Sequence, residues 1–122
     1  MRKAILLAFV IATQSAFANS LTYLGAKTIA DRDTASLSKA QGKSLSDAEE
    51  AVISHVMDAC RSNRLQPFVV VMKLDSSGTV LETWHHYDSD MAVCFEKNLI
   101  GVLVFVPPHV PFYTSIERSF SQ

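Results

Sequence analysis

The densest group of potential metal-ligating side chains in this sequence is His85-His86, followed closely by Asp88 and Asp90. Two imidazoles and a carboxylate form a zinc-type donor set. Adjacent residues of a strand point to opposite faces, so a single ion could take both histidines only where the strand ends. Three readings follow. The pair binds a metal, or it joins Trp84 and Tyr87 in a polar-aromatic contact surface, or it is a solvated strand end. A second candidate is Pro107-Pro108-His109-Val110-Pro111, with Phe112 and Tyr113 beside it. Three prolines in five residues restrict the backbone and lower the entropy lost on docking. The segment is either a rigid protrusion presenting His109 and Val110 or a stiff connector whose aromatics fold inward. The residues assigned to partner contact are therefore Trp84, His85, His86, Tyr87, His109, Val110 and Tyr113.

Other catalytic signatures are weak. No serine sits in a G-x-S-x-G elbow, and Glu82 and Glu96 are isolated carboxylates. Four glycines in the whole chain form no phosphate-cradling loop. The expectation is a protein without catalytic residues, bound metal or cofactor.

The two cysteines, Cys60 and Cys94, are not a C-x-x-C redox pair. Their meaning depends on the compartment, and the N-terminus speaks to that. Arg2 and Lys3 precede an apolar run over residues 4–12, and Ala16-Phe17-Ala18 is a small-x-small site. This is the pattern of a secretory signal peptide spanning residues 1–18; the alternatives are an uncleaved anchor or a buried helix. In an oxidising compartment two cysteines are expected to form one intramolecular disulfide, the alternative being two buried thiols that never meet. A bridge across 33 intervening residues is worth roughly 3–4 kcal/mol in the chain-entropy model. Removing 18 of the 122 residues leaves 104, the size of one small domain. Nine basic residues then face twelve acids, about −3, which argues against a nucleic-acid partner. No later apolar stretch approaches the ~20 residues of a membrane span, so no membrane insertion is expected.

These side chains need elements to position them. Residues 19–45 lack a sustained period and read as a flexible or loosely packed arm, with a short helix around 28–37 or an edge strand as the alternatives. Ser46-Asp47-Ala48-Glu49 reads as a capping box. It opens a helix over about 47–62 with Ala48, Val52, Val56 and Cys60 on one stripe. The apolar run 68–74, the turn Asp75-Ser76-Ser77-Gly78 and the segment 79–87 form a hairpin. Asp88 or Ser89 caps a second helix over about 90–99 with Cys94 and Phe95 on its apolar side, and Gly101 closes it. Residues 102–106 read as a short strand or extended segment, and 112–120 alternate as a final strand. The expected fold is α+β, in the order α-β-β-α-β. Two helices pack on a small antiparallel sheet and are stapled by a helix–helix disulfide between Cys60 and Cys94.

The domain over residues 46–122 resembles the TonB C-terminal domain. The resemblance rests on a first helix ending in Cys60 and a hairpin running from Val69 through Asp75-Ser76-Ser77-Gly78 to Val80. It rests also on a second helix carrying Cys94, and on Phe105-Val106-Pro107-Pro108 leading to a last strand. It implies a periplasmic α+β module that binds another protein, in some cases by adding an edge strand. The inner-membrane helix and Pro-rich spacer of energy transducers are not seen in this sequence. The leading expectation is a small periplasmic protein-binding protein, of the inhibitor or immunity type acting on an envelope effector or hydrolase. The alternatives are a TonB-like envelope adaptor and a small metal-binding protein using His85 and His86.

Overall fold

The computed structural model describes residues 21–61, 66–86 and 88–119. The expected signal peptide, residues 1–18, lies outside them. Helix α1 spans Tyr23–Ala35, α2 Lys39–Ala59 and α3 Asp90–Leu99; strands β1, β2 and β3 span Phe68–Leu74, Val80–His85 and Phe112–Arg118. The strands form one antiparallel sheet in the order β2-β1-β3. The α+β class and the helix–helix disulfide agree with the sequence expectation, and α1 is an additional element.

Strand β1 explains the layering. Its residues alternate between faces, yet nearly all are buried. Phe68, Val70, Met72 and Leu74 turn to one side. There they join Val52, Ile53 and Val56 of α2, Met91, Phe95 and Leu99 of α3, and Phe112 and Ile116 of β3. The rings of Phe68 and Phe95 pack tilted against each other with centroids 4.3 Å apart. Fully burying a side chain of this size stabilises the fold by roughly 1.5–3 kcal/mol, so this face holds most of the core. Val71 turns to the other side and clusters with Tyr113, Ala26 and Ala30. Helix α1 covers that second face.

The described part of residues 19–45, from Leu21 on, therefore departs from the arm expected of it. From Tyr23 it is helical, Ala26 and Ala30 are buried, and Thr22 caps α1 by accepting the Gly25 amide at 3.1 Å. Helix α2 begins at Lys39, several residues before Ser46. Its capping box uses Ser38 and Gln41: the Gln41 amide donates to Ser38 Oγ at 3.1 Å, and the Ser38 amide donates to Gln41 Oε1 at 2.9 Å. Both tetrapeptides fit the sequence rule. The earlier one caps, while Glu49 faces β3 instead.

The remaining boundaries follow local chemistry. Asp75 Oδ1 accepts from the Ser77 amide, the Ser77 hydroxyl and the Thr79 amide, closing the hairpin turn. Those bonds hold its carboxyl below the usual carboxylate range, with the Ser77 hydroxyl the largest cause. Gly78 has φ +90°, and a Cβ there would lie 2.4 Å from the Phe105 carbonyl oxygen. Ser89 caps α3 by accepting the Ala92 amide at 3.1 Å. The segment after α3 forms a single bridge, Leu103 with Thr79, rather than a strand.

Cys60 closes α2 as its C-cap, and Cys94 lies on α3. Their sulfurs are bonded with the Cα atoms 5.9 Å apart, inside the usual disulfide range. Cys60 is fully buried in the main core. The bridge ties the two core-facing helices together across the face that buries Phe95 and Val56.

Candidate functional site

Strand alternation separates the two histidines. His85 turns toward α3, where its Nδ1 lies 2.8 Å from Glu96 Oε1, and Asp88 Oδ1 is 4.0 Å from its Nε2. His86 turns the other way and stacks on Tyr23 of α1, ring centroids 4.8 Å apart and nearly parallel. The strand thus sends the two imidazoles to different neighbours rather than to one centre. Among the described residues no group of three His, Cys, Asp or Glu side chains is placed to hold a metal ion.

Trp84 and Tyr113 belong to the α1 face. Trp84 Nε1 donates to the Leu21 carbonyl at 3.0 Å, and its ring lies 5.8 Å from that of Tyr113, which is buried. The Tyr113 hydroxyl is held above its usual pKa, chiefly by burial. Three of the expected contact residues, Trp84, His86 and Tyr113, therefore clasp α1 to the sheet. Tyr87 lies outside the described residues.

His109 and Val110 are exposed. The His109 Nδ1 is 3.2 Å from the Pro111 carbonyl, its ring packs 5.3 Å from that of Phe112, and the Val110–Pro111 peptide bond is cis. Phe112 itself is fully buried. The proline segment thus combines both sequence readings: its leading aromatic folds inward while its apolar tip stays outside. Leu103, Val106 and Val110 are 64 %, 68 % and 55 % exposed. Between them, Val104 is buried and Phe105 lies against the core, which anchors the segment.

Two carboxylates stand out: Asp33, which the sequence reading passed over, and Glu49, which it placed in a capping box. Asp33 is buried near the end of α1; its Oδ2 accepts the Tyr113 amide at 3.0 Å, and its Oδ1 faces His109 Nε2 at 3.8 Å and Arg32 Nε at 3.7 Å. The spacing Ala26, Ala30, Asp33 puts it on the buried stripe of α1, which is the signal that would have found it. Glu49 faces β3 from α2, and its Oε2 accepts the Thr114 hydroxyl at 2.8 Å. Burial raises its carboxyl to about 7, with Glu50 adding to the rise and the Thr114 hydrogen bond and Arg118 opposing it. Arg118 is itself paired with Glu50. Neither carboxylate has a serine, cysteine or lysine nucleophile among the hydrogen-bond and ion-pair partners described for it.

No protein-family model matches the chain, and no curated protein or solved structure matches it either. An open depression of about 430 Å³ at the end of the sheet is lined by Phe68, Val69, Glu117 and Arg118 among others. It brings one acid and one base together, without histidine or cysteine. No described helix is long and apolar enough to cross a membrane.

Proposed function

We propose that this chain is a small periplasmic protein that acts by binding another protein, and that it neutralises an envelope-acting effector or hydrolase. The observation that carries the reading is the segment 103–111. It holds Leu103, Val106 and Val110 in solvent on a backbone stiffened by Pro107, Pro108 and Pro111 and anchored through Val104 and Phe105. Exposed apolar side chains on a pre-set backbone lower the ordering cost of docking and mark interaction surfaces. The Cys60–Cys94 bridge supports an oxidising compartment, since such bonds do not persist in reducing ones. The charge balance of the exported chain, about −3, suits a basic target.

The test is capture of envelope proteins from the source cells on the immobilised protein, beside a Val106→Asp/Val110→Asp variant. Recovery of a soluble hydrolase or effector by the parent and not the variant, followed by loss of that enzyme's activity on adding the protein, supports the reading. Recovery of membrane complexes instead would favour a TonB-like adaptor. Equal recovery by parent and variant would remove the proline segment as the contact.

A further inference from the structure

The proline segment carries a single ionisable handle. Between Lys97 and Glu117 the only titratable side chains are His109 and Tyr113. Tyr113 is buried and its hydroxyl is held above its usual pKa, so it stays neutral near pH 7. His109 is about half exposed, with its ring against Phe112. Histidine changes charge between about pH 5 and 8. A charge gained or lost by the segment in that range therefore resides on His109.

The contacts of the ring decide which nitrogen takes the proton. A carbonyl oxygen only accepts, so Nδ1, 3.2 Å from the Pro111 carbonyl, is the donor there. A neutral imidazole has one N–H, which leaves Nε2 bare. Nε2 is then the atom that gains the proton, and it lies 3.8 Å from Asp33 Oδ1. The neutral ring turns a lone pair toward a carboxylate; the imidazolium turns an N–H toward it. Asp33 is firmly placed, because its side chain is buried and its other oxygen accepts the Tyr113 amide. A buried charge is screened by salt much less than an exposed one. Few other charged groups face this pair among the described residues. From α1, the exposed Arg32 places its Nε 3.7 Å from the same Oδ1 and shares it with His109. From β3 comes the neutral Tyr113, whose hydroxyl also feels Glu82 of β2 and Asp33.

We propose that His109 is a protonation-dependent latch that fastens the proline segment to the end of α1. With Nε2 protonated, the ring ties Pro111 within the segment to Asp33 on α1, and the neighbouring Val110 is held in place. With Nε2 bare, the tie to α1 is lost and only the bond within the segment remains. The latch is closed at acid pH and opens as pH rises through the imidazole range. Its consequence for binding rests on the reading of this segment as the contact surface. A fastened segment loses less entropy on docking, so acid conditions favour capture.

Nitrogen-15 NMR of the His109 ring reads the tautomer. Nδ1 should keep its proton at pH 8, and Nε2 should gain one by pH 5. A ring that carries its proton on Nε2 at pH 8 overturns the latch. Order parameters of the His109 and Val110 amides read the fastening. In the parent they should fall from about 0.85 at pH 5, the value of rigid backbone, toward about 0.6 at pH 8. His109→Gln should show the lower values at both pH values. Glu49 also titrates in this range, but it is intact in both proteins and cancels in the comparison. Asp33→Asn keeps an acceptor for the Tyr113 amide and removes the charge, so it should abolish the response too. Should that variant loosen α1, His109→Gln carries the test. Order parameters that do not move in the parent, or that move equally in His109→Gln, overturn the latch. Unmoved order parameters beside a partner captured through Val106 and Val110 sink the latch and leave the function standing. A pH-dependent segment, in a protein whose Val106→Asp/Val110→Asp variant captures as well as the parent, supports the latch and removes the contact.

Discussion

The carboxylate of Asp33 holds the outward amide of Tyr113 at 3.0 Å, joining two residues eighty positions apart. This bond fixes the end of α1 to the sheet edge, and the Trp84–Leu21 and His86–Tyr23 contacts fix its beginning. The helix is clasped at both ends over a small centre in which Ala26, Ala30, Val71 and Tyr113 are buried and Tyr23, Ile29 and Trp84 pack against them. Replacing Asp33 by Leu strands a buried amide and should cost about 1–3 kcal/mol. Denaturant unfolding measures the loss, and hydrogen exchange should show it concentrated in α1 and at Tyr113. Unchanged exchange in α1 would mean the clasp does not hold the helix.

Glu49 gives the fold a pH dependence of unusual sign. Its carboxyl rises from 4.5 to about 7 because burial disfavours the charge. Between those values the folded state holds a proton that the unfolded chain has released. Stability should therefore be full below pH 4.5 and fall as pH rises through about 7, by on the order of 3 kcal/mol for this group. Glu49→Gln keeps an acceptor for Thr114 and removes the titration. Unfolding curves at pH 5 and pH 8 should show the variant close to the parent at the lower pH and more stable at the higher. Parallel pH profiles for the two proteins would refute it.

The Cys60–Cys94 bridge ties α2 to α3 within the core. Its loss should cost roughly 3–4 kcal/mol in the chain-entropy model. Cys60→Ser should lower Tm markedly, and reductant should lower the Tm of the parent while leaving the variant unmoved. A parent indifferent to reductant would show that the bridge contributes nothing to stability.

Gly78 stands where a turn, a positive φ and a close approach coincide. An alanine Cβ would meet the Phe105 backbone at 2.4 Å, and the left-handed conformation itself costs a non-glycine residue about 1–2 kcal/mol. Gly78→Ala should destabilise by more than that strain alone and shift the segment carrying Val106. A Tm within a degree of the parent would show that the turn relaxes freely.

Much of this architecture is readable in local sequence. The hairpin follows from a β-branched run, an Asp-led turn and Gly78, and α3 from Ser89 and its apolar stripe. The opposite orientations of His85 and His86 follow from strand alternation. Helix α1 was harder to read because its buried residues are two alanines and an aspartate, which give almost no amphipathic signal. One clue to it was present: Val69-Val70-Val71 is continuous rather than alternating, as expected of a strand covered on both faces. Glu49 was misread because the same four residues can cap a helix or lie inside one, and only the neighbouring strand separates the two.

By itself the sequence determined the α+β class, the hairpin, the third helix and the pairing of its two cysteines, because periodicity, caps and turns are short-range properties of the chain. Tertiary structure decided which face of the sheet α1 covers and which aromatics that cover engages. It also decided that Asp33 is buried and that Glu49 lies partly buried against β3. Those outcomes depend on where residues distant in sequence come to lie, and burial, desolvation and edge pairing have no meaning until the layers are assembled.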